Sequence, residues 1–456
     1  MCGISGILSL NNKNITGNLY KSLFNLQHRG QESSGFIVFS SYSKKTYKSK
    51  KFGLIEGHLN DIENFEGDMG IGHVRYPTGG LTTRKEIQPF SILKPYGISL
   101  VHNGNIINKS ELEQFLYEKN IFFNSTSDSE IILNLFYYFI EKNYEKLTNN
   151  SIIESLKNVY SLCRGSFSVI IMISNYGLIF FRDKHGIRPL VYNLKNDFIS
   201  ISSETTALHT NEYTNVENGE VCIIDKKFNF NKFKLFNCDL RPCIFEYIYF
   251  ANAESYINDI LVYSFREKVG ENILNCIDEK ILKEIDIIVP IPMTSIISAT
   301  TIANILNKPL KHAVLKNRYT HRTFINKNND ILENIRKIKI ISKLVENKNI
   351  LLVDDSIVRG NTIKYIIEEL KKTNVKKIYF ASCSPPVKYP NKYGIAIPTS
   401  DELIANNKTI NDIKKLLNLD GLYYLDLDNI TSILNNLNKN IVSFEDSSFS
   451  GFYIEN

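Results

Sequence analysis

The chain has no tryptophan, no CxxC spacing, and no apolar run near the ~20 residues of a membrane span. The missing tryptophan decides nothing. The missing CxxC says more. Seven cysteines stand at 2, 163, 222, 238, 243, 276 and 383, an odd count without paired spacing. A disulfide framework and a zinc site are not expected, and a reducing compartment is. With no signal sequence before Cys2 and no span, we expect a cytoplasmic protein with no membrane partner. A strong charge imbalance is absent too. Lys plus Arg total 54 against 48 for Asp plus Glu, a surplus of +6 over 456 residues. That excess suits anionic small ligands and argues against a nucleic-acid partner.

What is present allows two ordinary globular domains, at roughly 100–200 residues each. The first half reads as short strands, at 37–39, 98–101, 169–173 and 179–181, with helices over 129–140 and 152–163. The second half changes rhythm. Apolar runs at 285–291, 350–353 and 377–381 alternate with helical patterns at 294–306 and 362–371, which predicts a parallel α/β sheet. The change falls near residues 225–245, where Lys, Phe and Asn crowd without a period. The expected domains are 1–240 and 241–456. No internal repeat is seen.

Two segments carry chemistry on their own residues. Met1-Cys2-Gly3-Ile4-Ser5-Gly6-Ile7 places a cysteine directly after the initiator methionine. Loss of Met1 would leave a thiol and a free α-amine on one residue. With an ordinary pKa of about 7.7–8.0, the amine can serve as a base for that nucleophile. Such a pair attacks an amide to give a thioester and ammonia. The bland alternative is an accidental cysteine before a buried Gly-rich strand. The second segment runs Ile350-Leu351-Leu352-Val353-Asp354-Asp355-Ser356-Ile357-Val358-Arg359-Gly360-Asn361-Thr362. A buried strand ends in two acids, a one-glycine loop follows, and a helix begins. Backbone N–H groups and the positive helix end then face an anion, at the strand end where α/β sheets bind ligands. Asp354 and Asp355 suit ribose hydroxyls or Mg²⁺. The bland alternative is a capped strand-turn-helix.

The stretch Asp354–Thr362 resembles the phosphoribosyl-pyrophosphate (PRPP) loop of type I phosphoribosyltransferases. That resemblance implies that the acids hold ribose and that Ser356, Ile357, Val358, Arg359, Gly360, Asn361 and Thr362 wrap the 5-phosphate. Asn361 departs from the family's usual Thr. Pro292-Met293-Thr294-Ser295 is similar to the pyrophosphate loop, which makes Ser295 an expected Mg²⁺ ligand beside Asp354 and Asp355. Met293 replaces a usual acid or polar residue. Residues 326–345 match the family's lid poorly, with only Arg336 and Lys337 assignable.

In the first half, Cys2-Gly3-Ile4, Leu26-Gln27-His28-Arg29-Gly30-Gln31-Glu32, Gly72-His73-Val74-Arg75-Tyr76-Pro77-Thr78, His102-Asn103-Gly104-Asn105 and Ser127-Asp128-Ser129-Glu130 occur in order. Together they resemble the glutaminase domain of class II amidotransferases, an N-terminal-nucleophile hydrolase. The resemblance implies that Cys2 is the nucleophile. It gives the oxyanion hole to the Asn103 side chain and the Gly104 N–H. Arg75 takes the glutamine carboxylate, with Tyr76 and Thr78 in the same substrate loop, and Asp128 takes the α-ammonium. Singly, Arg75 reads as a surface charge, Asp128 as a helix cap and Asn103-Gly104 as a hairpin turn. The set argues otherwise.

The two halves in this order are similar to the family of enzymes that aminate PRPP with glutamine nitrogen at the start of purine synthesis. The implied fold is an α+β N-terminal-nucleophile domain followed by an α/β phosphoribosyltransferase domain with a parallel sheet. The implied substrates are glutamine and PRPP, the implied cofactor is Mg²⁺, and purine nucleotides are the implied feedback inhibitors of a homotetramer or homodimer. Some members carry an iron–sulfur cluster on four cysteines. No cluster is expected in this chain. Its tail from 444 to 456 has no cysteine, and Asn391 stands where such members have a ligand. The sugar-phosphate isomerising amidotransferases and asparagine synthetases share only the first half. A PRPP-sensing regulator would have no use for Cys2.

Overall fold

Two antiparallel sheets take up the first half of the computed structural model, which describes residues 1–76, 83–143, 147–195, 197–316, 338–397 and 399–455. One sheet has 7 strands in the order Thr214–Asn215, Val191–Lys195, Phe198–Ser202, Gly3–Ser9, Met69–Arg75, Ser33–Phe39 and Thr46–Phe52. The other has 6, in the order Phe230–Lys234, Glu220–Asp225, Gly177–Arg182, Gly165–Ile173, Ile98–Ile106 and Phe90–Ile92. Alternation along the strands explains why the sheets stack. Ile4 and Leu8 of the first sheet share one core with Val101, Ile170 and Phe180 of the second. Ile7, on the opposite face, packs with Leu19 and Leu23 of helix Thr16–Asn25. On the outer face of the second sheet, Leu100, Ile171 and Ile179 pack with Phe136 and Leu156 from helices Asp128–Asn143 and Asn149–Leu162. Helices, two sheets and helices again form the four layers that bury both faces of each sheet.

The predicted elements of this half are present, with shifted bounds. The strand expected to end at 101 runs on as Ile98–Ile106, so Asn103-Gly104 lies inside a strand and is not a hairpin turn. Helix Asn149–Leu162 starts before the predicted 152 because Thr148 and Ser151 form a capping box. Within the stretch 225–245, read as aperiodic, Phe230–Lys234 pairs antiparallel with Glu220–Asp225.

The second half builds a parallel 4-stranded sheet in the order Ile287–Pro290, Asn349–Asp354, Lys377–Ser382 and Gly421–Tyr424. Its strands are buried on both faces, as parallel strands are. Leu351, Val353 and Ala381 enter one core, while Ile350, Leu352 and Phe380 enter another. Helices Ile296–Leu306 and Asn361–Lys371 follow the first two strands. The fourth strand was not predicted. Among the described residues no helix is long and apolar enough to cross a membrane.

Candidate active sites

Cys2 immediately precedes the strand Gly3–Ser9, and its backbone N–H donates to Asn103 Oδ1 at 3.1 Å. Asn103 belongs to the facing sheet, so the two sheets meet at this bond. With Oδ1 engaged, Asn103 Nδ2 is buried without a hydrogen-bond partner among the described residues. A buried, unmade donor costs about 1–3 kcal/mol, which is a standing invitation to an acceptor. The next residue supplies a second donor. The His102 N–H donates to Gln88 Oε1 at 2.7 Å and the Ile106 N–H to Asp128 Oδ2 at 3.0 Å. By the two-residue period of a strand, the Gly104 N–H falls on that same edge, between them.

The ground beneath Cys2 is charged. Arg29, fully buried, donates Nε to the Cys2 carbonyl at 2.9 Å and Nη2 to Glu246 at 2.9 Å, and Nη1 also meets Glu204. Burial raises the Glu204 pKa, but His28 and Arg29 more than offset this and hold it below the usual carboxylate range. Removing one partner of such a buried pair costs about 3–5 kcal/mol, so Arg29 is fixed. Met1 is buried as well, with its sulfur on Arg188. Burial pushes the Met1 α-amine down to about 5, and Arg188 and Arg29 push the same way. The Met1 α-amine is therefore neutral at pH 7.

Arg75 ends the strand antiparallel to Gly3–Ser9, where Gly3 faces Val74, so Cys2 and Arg75 stand at one end of the sheet. Arg75 Nε lies 3.5 Å from Glu32 Oε2. Its Nη1 is buried without a hydrogen-bond partner among the described residues. Tyr76 meets Phe250 edge to face at 5.8 Å. Thr78 lies outside the described residues. Asp128 opens its helix, 3.7 Å from His102 Nδ1. Burial raises its carboxyl, but His102 and the Ile106 and Ser129 N–H groups bring it below the ordinary value. It stays an anion, as partnership with an ammonium requires. Sequence reasoning quoted His73 and His102 in motifs and gave them no place. Both ring nitrogens of His73 are buried and unpartnered among the described residues, and burial beside Arg75 and His102 holds the ring neutral.

In the second half, Asp354 and Asp355 sit at the carboxyl end of their strand, and Gly360 caps the helix Asn361–Lys371 with φ 78°. The positive φ favours glycine, and an added Cβ would also have to push aside the end of the Ile404 side chain, whose Cδ1 would lie 2.4 Å away. The Val358 carbonyl accepts from Ile404 N–H at 2.9 Å, and Arg359 pairs with Glu402 at 2.8 Å. Ser356 donates to Asp355 at 2.7 Å, Ile357 is core, and Asn361 and Thr362 open the helix on its exposed side. Thr294, which sequence reasoning passed over, donates to Asp355. Ser295 is fully buried and donates to the Ile291 carbonyl.

Burial and mutual repulsion raise the Asp354 pKa well above the ordinary value, and burial raises Asp355. Two adjacent acids, Asp355 buried and Asp354 half-buried, whose charged forms are disfavoured fit a hard dication. Mg²⁺ uses one or two carboxylates and takes its other ligands from water and substrate phosphate. Among the described residues no three His, Cys, Asp or Glu side chains form a metal-holding group, so a full protein cage is not on offer. An iron–sulfur cluster does not fit the donors around Cys243. That thiol is buried and raised well above its ordinary value by burial and Glu445. Asn391 donates to Glu445 and Ser448 at 3.4 Å each, which are oxygen partners and not thiolates. The lid residues Arg336 and Lys337 lie outside the described residues.

Fold and sites together define a glutaminase of the N-terminal-nucleophile class joined to a type I phosphoribosyltransferase. A glutamine amidotransferase domain profile matches residues 73–210, and a phosphoribosyl transferase domain profile matches 263–402. The chain is 38% identical to the amidophosphoribosyltransferase of Escherichia coli strain K12, over 100% of its own length and 92% of that protein's. It is 38% identical to the Pasteurella multocida protein of that name, over 100% and 93%. It belongs to the amidophosphoribosyltransferase family. A solved structure of glutamine PRPP amidotransferase from B. subtilis, complexed with ADP and GMP, superposes with a TM-score of 0.87 at 29% identity, covering 100% of this chain and 98% of that one.

Proposed function

We propose that this chain hydrolyses glutamine at Cys2 and passes the ammonia to C1 of PRPP, giving phosphoribosylamine, pyrophosphate and glutamate. The observation that carries the reading is the Asn103 amide, whose oxygen holds the Cys2 nitrogen while its own Nδ2 stays buried and unpartnered. Once Met1 is removed, that nitrogen becomes the α-amine. It takes the Cys2 thiol proton as sulfur adds to the glutamine Cδ carbonyl. The carbonyl π pair moves to oxygen, which Asn103 Nδ2 and the Gly104 N–H receive. The ammonium returns the proton to the leaving nitrogen, ammonia departs, and water then cleaves the thioester to glutamate. Arg75 and Tyr76, with Thr78, hold the substrate carboxylate end, and Asp128 holds its α-ammonium.

In the transferase half, residues 356–362 wrap the 5-phosphate. Asp354 and Asp355 would hold the ribose hydroxyls directly or through Mg²⁺, with Ser295 as a further ligand. Mg²⁺, when bound, offsets the charge of the departing pyrophosphate. We place the domain boundary at 240/241. We also propose that the chain works in the cytoplasm as a homotetramer or homodimer, free of an iron–sulfur cluster and under purine-nucleotide feedback. These readings are supported by the cysteine pattern and by family membership.

Glutamate and pyrophosphate release from glutamine plus PRPP tests the reaction, with ammonium replacing glutamine as the second arm. Cys2→Ala abolishes the first arm and leaves the second. Loss of both, or retention of both, overturns the assignment of Cys2. Intact-mass measurement showing Met1 retained in active enzyme would overturn the proposed base.

A further inference from the structure

The oxyanion strand of the glutaminase half is backed by a turn from the other half. Residues 391–394 follow the strand Lys377–Ser382 of the parallel sheet, nearly three hundred positions from Gly104 in sequence. Asn105 Nδ2 donates to the Lys392 carbonyl at 2.8 Å. The Tyr393 carbonyl accepts from Ser166 Oγ at 2.7 Å, on the strand paired with Asn105, and from Arg188 Nε at 2.9 Å. Gly394 then lies flat on Gly104. Its φ is 95°, and a Cβ on it would stand 2.9 Å from the Gly104 oxygen and 3.0 Å from the Gly104 carbonyl carbon. Gly104 is equally constrained from the other side. A Cβ on it would fall 2.0 Å from the Ser166 oxygen and 2.7 Å from His102 Nε2. Gly104 is thus held between the neighbouring strand and the turn, with its carbonyl side against Gly394.

We propose that the turn 391–394 is a positioning device for the oxyanion hole, with Gly394 as the residue that sets the Gly104 peptide. The turn touches no substrate. It acts through Gly104, and it is supplied by the half of the chain that binds PRPP. The idea rests on the glutaminase reading given above.

Oxyanion donors are used in the transition state and not in substrate binding, so the signature is a split between kcat and affinity. Removing one such donor costs about 10²–10³ in kcat, and displacing one should cost at least about tenfold. The full-length enzyme is assayed for glutamine hydrolysis, for glutamate affinity by calorimetry, and for ammonium-dependent transfer. Gly394→Ala is expected to lower glutaminase kcat at least about tenfold. Glutamate affinity and ammonium-dependent transfer stay within about twofold, because Arg75, Asp128 and the transferase site are untouched. Asn105→Ala, which only unhooks the turn from the strand, gives the same pattern more weakly and serves if Gly394→Ala does not fold. Unchanged kcat in both variants overturns the proposal. So does a fall in all three readouts together, which would mark a general packing role. A wild-type enzyme with no glutaminase activity would instead overturn the glutaminase reading itself.

Discussion

At the scale of single residues, the transferase site holds charge that the folded chain does not balance. Burial pushes Asp354 up, repulsion from Asp355 adds to it, and Asp355 is itself raised by burial. A carboxyl whose folded pKa lies above its unfolded value contributes stability only in acid. That contribution is lost as the pH rises through the folded pKa, so above it the pair is a net cost to the unliganded protein. Asp354→Asn is therefore expected to raise the melting temperature of the unliganded enzyme at pH 7, by about 1 °C for each kcal/mol relieved in a chain of this length. It should also abolish PRPP-dependent turnover and the stabilisation given by Mg²⁺ with pyrophosphate. Thermal melts of wild type and variant, each with and without Mg²⁺ and pyrophosphate, check this. A lower melting temperature for unliganded Asp354→Asn would show that the pair stabilises the empty fold and would overturn the argument.

At the scale of elements, legibility followed burial. The strands Ile287–Pro290, Asn349–Asp354 and Lys377–Ser382 were readable because parallel strands buried on both faces appear as continuous apolar runs. Phe230–Lys234 was not, because its side chains are half-buried or exposed and spell no run. The strand Ile98–Ile106 was read only to 101, since His102-Asn103-Gly104-Asn105 breaks its apolar pattern. Of those residues, Asn103 meets Cys2. The motifs placed them in the site, while periodicity lost them from the strand. Thr294 on Asp355 and the Arg29–Glu246 pair were invisible for another reason, since each joins residues far apart in sequence.

The hairpin Ser33–Phe39/Thr46–Phe52 carries a prediction of its own. His58 is buried behind it, 2.6 Å from Ser49 Oγ and 3.1 Å from Ser34 Oγ, and burial pushes its pKa to about 4. The unfolded chain takes up that proton near pH 6.5, so stability from this group is lost as the pH falls from about 6.5 toward about 4. His58→Gln is expected to flatten the acid limb of the melting profile in that window, with His73 and His209, both lowered by burial, still contributing. Parallel profiles for wild type and variant would rule His58 out.

At the scale of the whole molecule, one stretch of chain touches both sites. Residues 391–394 back the oxyanion strand, and a short way further on Glu402 and Ile404 brace the phosphate loop through Val358, Gly360 and Arg359. Tyr76, next to the strand Met69–Arg75, leans on Phe250, which also stacks under Arg29 at 5.1 Å. Packed interfaces of this kind shift between discrete arrangements and do not deform smoothly. A ligand bound at the phosphate loop is therefore expected to bias the glutaminase site, and any such bias must run both ways at equilibrium. The expected coupling is about 1–3 kcal/mol. Because residues 326–345, expected as a lid, match the family's pattern poorly, we place it at the lower end. Calorimetric titration of a Cys2→Ser variant with glutamine, with and without an unreactive PRPP analogue, measures it directly. Glutamine should bind severalfold tighter with the analogue present, and the analogue should gain the same factor from glutamine. Gly360→Ala, which forces a methyl group against Ile404, should reduce that factor even at analogue concentrations that fill the site. Equal glutamine affinities in both titrations would mean that the halves bind independently. The turn at 391–394 would then be a static brace for the oxyanion strand, carrying no message from the phosphate loop.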